Sequence, residues 1–213
     1  GRFTLMITLI SFAQWISAPF FAPYMLTELQ FNYSTFILVN VSSAIFSLFV
    51  FRPFGRFADR YGNLRLLIIG SIFIPIIPIV WAFVKTPIGL IFAAQLISGV
   101  GWSAFNLASS NFIYDNIPIS RRGEYVAYYS FIVGIGAILG GLVGSLLIQF
   151  LPLLLPLVEQ SWYFRIIFIL SGVLRMAPLL ICLPKLKEVG PIDANLVLNI
   201  KNQPIYRFLY DIR

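Results

Sequence analysis

Apolar residues fall along this chain in six blocks of about 20 residues, each closed by a short run of polar, charged or turn-forming positions. Polarity within a block is continuous rather than alternating, so the blocks predict helices and not strands. About 20 residues at 1.5 Å each cross about 30 Å of hydrocarbon. The predicted spans are 3–27, 34–54, 66–84, 88–114, 123–149 and 162–184, with breaks at 28–34, 55–65, 85–87, 115–122 and a Pro-rich stretch at 151–161. Residues 185–213 read as a polar, basic cytoplasmic tail. Only helices or closed barrels satisfy their backbone hydrogen bonds in lipid. The expected fold is therefore an all-α integral membrane protein, a six-transmembrane-helix bundle over residues 1–184.

Charge sharpens this picture. The chain is 59% hydrophobic and only 11% charged, where a soluble domain carries about 25%. A net charge of +7 does not point to nucleic acid, because the basic residues sit in breaks between spans and form no patch on a soluble fold. Arg2, Arg52, Arg56, Arg60, Arg65, Arg121, Arg122, Lys185, Lys187, Lys201, Arg207 and Arg213 fall on alternate breaks and the two ends; the opposite breaks hold Lys85 alone. The positive-inside rule then predicts a multi-pass cell-membrane protein with both termini cytoplasmic. Trp81, Trp162 and Tyr163 fall near predicted outer ends, where amphipathic rings favour the interface. Pro19, Pro23, Pro75, Pro78 and Pro178 interrupt spans and are expected to kink them.

Candidate chemistry is sparse. The chain has no histidine and a single cysteine, Cys182, which leaves no histidine metal site, no Ser-His-Asp triad and no internal disulfide. No acid lies inside a span, and no nucleophile motif is present. Neither enzymatic activity nor a cofactor nor a metal is expected. Gly1 opens the chain without a methionine and reads as the start of a fragment or a processed product.

The break at 55–65 reads Gly55-Arg56-Phe57-Ala58-Asp59-Arg60-Tyr61-Gly62-Asn63-Leu64-Arg65. Two glycines seven apart permit a tight turn, and an aspartate between arginines can pair with a base or accept from a helix N-terminus. A basic loop obeying the positive-inside rule explains the arginines but not the spacing of Gly55, Asp59, Arg60, Gly62 and Arg65. That spacing resembles the G-x-x-x-D-R-x-G-x-x-R loop after the second helix of each half of the major facilitator superfamily. Pro118-Ile119-Ser120-Arg121-Arg122-Gly123-Glu124 looks like the P-x-x-R-x-G loop between the fourth and fifth helices of such halves. The stretch from Trp102 to Asn111 is similar to the C-terminal half of prokaryotic permeases of unassigned substrate.

The resemblance implies one six-helix half of a carrier that moves a small solute by alternating access, with a missing second half and the lipid bilayer as partners. It also implies that the first and fourth helices line a central cavity. On span one, Thr4, Thr8, Ser11 and Trp15 share a face with Gln14 beside it; on span four, Gln95, Gly99, Ser103, Asn106 and Ser110 recur at helical spacing. Polar groups in lipid are costly and should face protein or water; the plainer reading of both stripes is hydrogen bonding that holds the bundle together. Gly136, Gly140 and Gly144 on span five, with Gly134 and Gly141 nearby, are expected to let helix backbones approach closely. Asp59 is expected to dock at the N-terminus of span five, or to pair with Arg121 or Arg122, when the cytoplasmic side is closed; Arg60 would then hold Glu124 or a partner in the missing half. Arg175, deep in span six, is expected to snorkel or to pair with polar neighbours, and Arg165 to snorkel outward. A non-transporting scaffold or receptor-like remnant of a carrier is the competing class.

Overall fold

The computed structural model describes residues 1–186, so the tail expected from residue 185 lies almost wholly outside the described residues. Six helices are long and apolar enough to cross a membrane: α1 (Arg2–Glu28), α2 (Tyr33–Tyr61), α3 (Asn63–Phe83), α4 (Pro87–Asp115), α5 (Ile119–Leu154) and α6 (Gln160–Cys182). The described residues contain no strand.

Their starts follow from local chemistry. The Asn32 side chain accepts the Thr35 N–H (2.8 Å) at the head of α2, and Thr86 accepts the Gly89 N–H (3.2 Å) at the head of α4, each relieving an unpaired first-turn donor. The largest departure from the sequence expectation lies at 55–65. α2 continues to Tyr61, because polar residues end a hydropathy signal without ending a helix. The turn is made at Gly62 alone, at φ 93°, a conformation that disfavours any residue with a Cβ. Its N–H closes the last turn on the Ala58 carbonyl at 2.8 Å. Gly55, expected to share that turn, lies inside the helix.

α1 is not uniform. It is regular over Arg2–Ser17, tightens at Ala18–Phe20, recovers over Phe21–Pro23 and widens into a π turn at Tyr24–Glu28. Pro19 and Pro23 each withhold a backbone donor there. α4 carries a second π turn at Leu90–Gln95. By contrast α3 runs unbroken through Pro75 and Pro78, and α6 through Pro178.

The helices pack in the order α5–α1–α6–α3–α4–α2. Exchanging α1 with α4, α2 with α5 and α3 with α6 leaves that order unchanged. The bundle is thus two three-helix units, the second inverted relative to the first because successive helices alternate direction. Glycines set the seams. A methyl group at Gly136 would sit 2.7 Å from the Thr8 carbonyl, and methyls at Gly140 and Gly144 would press closer still on the carbonyls of Phe12 and Ile16. Gly70 faces the Phe105 backbone, Gly99 the Ser43 carbonyl and Gly172 the Pro75 carbonyl in the same way. Gly134 and Gly141 have open space instead.

Three apolar clusters fill the interior, the smallest of them Ile16, Leu151, Tyr163 and Ile167. One, at the end bearing Arg60 and Arg65, gathers Phe3, Met6, Ile10, Leu66, Phe105 and Phe112. Another gathers Tyr24, Val39, Trp81, Phe164 and Phe168 at the opposite end. Trp81 is therefore inside the bundle, against the Phe21 ring at 4.8 Å, and not at the interface expected for it. Tyr163 is buried too, its hydroxyl 2.9 Å from the Leu155 and Val158 carbonyls. Arg165 does not snorkel outward: it is buried, with its guanidinium 4.8 Å from the centre of the Trp162 ring. α2 and α5, at the two ends of the packing order, keep most of their surface uncovered.

Candidate functional site

The arginine-bearing end of the bundle is held by side chains that the sequence motif did not single out. Asn63, the first residue of α3, donates through Nδ2 to Asp115 Oδ2 at 2.8 Å. Asn111 Nδ2 donates to Asn63 Oδ1 at 2.9 Å. The turn at Gly62 is thereby fastened to the last two turns of α4. Arg122 sits next to this fastening: Nε donates to the Ile117 carbonyl (3.1 Å) and Nη2 to the Tyr114 carbonyl (3.0 Å), while its guanidinium lies 5.6 Å from the Tyr114 ring centre. It satisfies carbonyls left without partners at the end of α4.

Asp59 is exposed on the last turn of α2, with no ion pair or hydrogen bond among the described residues. Arg60 lies over the Tyr61 ring at 5.2 Å. Arg65 and Arg121 are exposed, and so is Glu124 in the first turn of α5. The structure therefore brings Asp59 to neither Arg121 nor Arg122, and Arg60 does not pair with Glu124. Of the motif residues, Gly62 has a demonstrable geometric task here and Gly55 has none.

Between the arginine-bearing ends of α1, α4 and α5 lies an open cleft of about 550 Å³. Phe3 stacks on Phe112 (4.7 Å between ring centres) and on Tyr129 (6.3 Å) along its wall. Tyr125 and Tyr128 add two further rings, and Arg121 and Glu124 stand among the lining residues. An apolar, aromatic wall with few charged groups is the composition of a small-molecule site.

The two polar stripes divide. On α1, Ser11 is buried and donates to the Val133 carbonyl of α5 at 3.3 Å; Thr8 donates to its own Thr4 carbonyl at 2.9 Å and presents its backbone to Gly136. These two serve the α1–α5 seam. Gln14 is half-buried and Trp15 is 44% exposed. On α4, Gln95, Gly99 and Ser103 are buried. Gly99 packs on α2, where Ser47 Oγ lies 3.2 Å from its carbonyl, and Ser103 Oγ has no partner among the described residues. Asn106 and Ser110 are exposed. The structure thus separates Gln14, Trp15, Asn106 and Ser110, which solvent can reach, from Thr8, Ser11, Gln95, Gly99 and Ser103, which packing takes. Among the described residues no group of three His, Cys, Asp or Glu side chains comes together to hold a metal.

Comparison with known proteins agrees with this architecture. The family described as the Major Facilitator Superfamily matches residues 3–195. The chain is 28% identical over 154 residues, 70% of its length, to the MFS-type transporter TwmF of Talaromyces wortmannii, of which the match covers 28%. It is 29% identical over 125 residues to the multi-drug resistance efflux pump PmrA homolog of Lactococcus lactis subsp. lactis (strain IL1403), covering 59% of this chain and 30% of that protein. It is 24% identical over 127 residues to multidrug resistance protein 1 of Bacillus subtilis (strain 168), covering 60% and 32% respectively. The chain spans less than a third of the length of each of these three relatives.

Proposed function

Because the chain belongs to the major facilitator superfamily, we propose that it forms one six-helix half of a carrier moving a small solute across the cell membrane by alternating access. The observation that carries this is the aromatic cleft between α1, α4 and α5. A second six-helix half would cover the open sides of α2 and α5, and the bilayer the remainder. Both termini face the cytoplasm on this reading, because the arginines collect at one end, and the cleft opens to that side. Stacked rings with little charge suit an uncharged or amphipathic solute; relatives named as multidrug efflux proteins support that class. Gln14 and Asn106 supply hydrogen bonds to it, and Trp15 and Ser110, which solvent also reaches, add to the lining. The carrier performs no covalent chemistry, and it engages no nucleic acid.

Asp59 belongs to this proposal as a latch. It is unpaired when the half stands alone, and its carboxylate engages the N-terminus of α5, Arg121 or Arg122 when the cytoplasmic side closes. Such a latch biases the two states only by its differential energy.

Flux of an aromatic amphipathic dye into proteoliposomes holding the full-length protein tests the proposal. The wild type transports, and Asn106→Leu and Tyr128→Ala each reduce the rate several-fold at unchanged membrane levels. No flux for a panel of such dyes and of neutral polar solutes supports the scaffold reading instead. Unchanged flux in both variants removes the cleft from the pathway.

A further inference from the structure

Arg175 is almost fully buried within α6, at 2% exposure. Its two terminal nitrogens serve different helices. Nη1 donates to the Ile74 carbonyl of α3 at 3.1 Å, and Nη2 donates to Ser17 Oγ of α1 at 3.1 Å. Neither acceptor is arbitrary. In a continuous helix the Ile74 carbonyl would accept from residue 78, but residue 78 is proline and has no N–H. The guanidinium stands where that missing donor would be. Ser17 is the last residue of the regular part of α1, and the tightened turn at Ala18–Phe20 begins immediately after it.

The contact is then relayed back. Ser17 Oγ donates to Ser171 Oγ at 2.9 Å, and Ser171 Oγ donates to the Ala13 carbonyl at 2.6 Å. The sequence Arg175, Ser17, Ser171, Ala13 stitches α6 to α1 twice within one turn. Gly172, whose Cβ would lie 2.8 Å from the Pro75 carbonyl, lets α6 approach α3 closely one turn before Arg175. No acidic side chain pairs with this cation among the described residues, and Nε has no partner among them. A buried charge without a counter-ion destabilises a membrane bundle relative to an apolar residue of similar size. What an apolar residue cannot supply is a rigid planar fork that spans two acceptors on two helices.

We infer that Arg175 is a positioning residue that fixes where α1 bends. Residues 2–17 of α1 pack against α5 and α6, and Arg175 ties their end to α3 and α6. The segment beyond Ser17, with its tightened turn and its π turn, is the part that swings at the end opposite the arginines. The turnover arm of the test rests on the carrier reading; the distance arm does not.

The experiment uses the full-length protein in a Cys182→Ser background reconstituted in membranes. Spin-label pairs are placed at Thr27 with Lys85, beyond the bend, and at Arg2 with Ser120, at the other end. In Arg175→Met the Thr27–Lys85 distance distribution broadens about two-fold, while the Arg2–Ser120 distribution stays as in wild type. Turnover falls about ten-fold with KM unchanged. Arg175→Lys keeps the charge without the fork and does not restore the narrow distribution. Pro78→Ala combined with Arg175→Met returns a backbone donor to Ile74, so it protects the fold if the single variant fails to assemble; the distribution still stays broad because Ser17 is still released. An unchanged Thr27–Lys85 distribution in Arg175→Met overturns the inference. So does recovery of the narrow distribution and of turnover in the double variant, which would reduce Arg175 to a substitute donor for Ile74. If wild type shows no flux but the distances respond as expected, the carrier reading fails and the positioning role stands.

Discussion

Adding one methyl group to Gly140 tests the packing of the half directly, and its neighbour Gly141 supplies the control. A Cβ at Gly140 would fall within 3.0 Å of both the carbonyl oxygen and the carbonyl carbon of Phe12 and 3.1 Å from its Cα. Carbon and carbonyl oxygen do not approach much below about 3.3 Å. The obstacle is backbone, so no rotamer change relieves it. α1 must retreat by about 1 Å, and a radial gap of that size forfeits a quarter to a half of each dispersion contact along the seam. Overpacking of this kind costs about 1–3 kcal/mol. At about 2–4 °C per kcal/mol for a domain of this size, Gly140→Ala lowers the melting temperature by about 2–12 °C. At Gly141 nothing lies within 4 Å, so Gly141→Ala avoids the clash and gains up to about 1 kcal/mol of helix propensity. Thermal unfolding in detergent, followed by tryptophan fluorescence and by size-exclusion chromatography, measures both variants. A Gly140→Ala protein as stable as wild type, or a Gly141→Ala protein damaged equally, refutes the assignment of the α1–α5 seam.

Two further outcomes are expected. Asp59→Asn keeps the shape of the side chain and removes its charge; it shifts the carrier toward the inward-open state by about 0.3–1 kcal/mol, a ratio change of up to about five-fold, and slows turnover, as read by thiol labelling of a cysteine at Tyr128 in the Cys182→Ser background. Labelling and rate both equal to wild type would sink the latch. Cysteines at Ser120 and Glu159, modified with a membrane-impermeant reagent, react from opposite faces of the membrane; reaction of both from one face rejects the topology.

The six helices were legible because apolar block length is a property of the local chain, and lipid leaves such a block few alternatives to helix. Two kinds of information were not local. Hydropathy placed the end of α2 at residue 54, since Arg56, Asp59 and Arg60 look like loop; hydrogen bonding carries the helix through them to the positive φ of Gly62. The polar stripes of α1 and α4 were visible as stripes, but periodicity names a face and not its neighbour. Ser11 faces α5 because the glycines at 136, 140 and 144 bring that helix close, a fact written about 125 residues away. The same holds at the arginine-bearing end. Asp115 stands at the edge of a span, and Asn63 looks like an ordinary turn residue; only the folded chain sets Asp115 against Asn63 and binds Asn111 to that same side chain. A charge in span six and a proline at 78 are both legible locally, but the bond from Arg175 to the Ile74 carbonyl that Pro78 leaves without its helical donor needs the packing of α3 on α6.

The helices differ in length, and a bilayer does not. At 1.5 Å per residue α3, with 21 residues, is about 32 Å long and matches the hydrocarbon layer, whereas α5, with 36, is about 54 Å. Even tilted by about 40°, α5 would still reach about 41 Å along the membrane normal, so at least about 10 Å of it stands outside the oil. α2, with 29 residues, is about 44 Å long and about 33 Å along the normal at the same tilt, and its last turns carry Arg52, Arg56 and Arg60, spaced four apart on the exposed side of the helix. Where such a ladder meets an anionic leaflet, each arginine is attracted to it by about 1 kcal/mol. Length does not follow place in the packing order: α4, with 29 residues, is as long as α2, while α3 and α6, with 21 and 23, match the oil; a change in lipid thickness therefore acts unequally on neighbouring helices of one bundle.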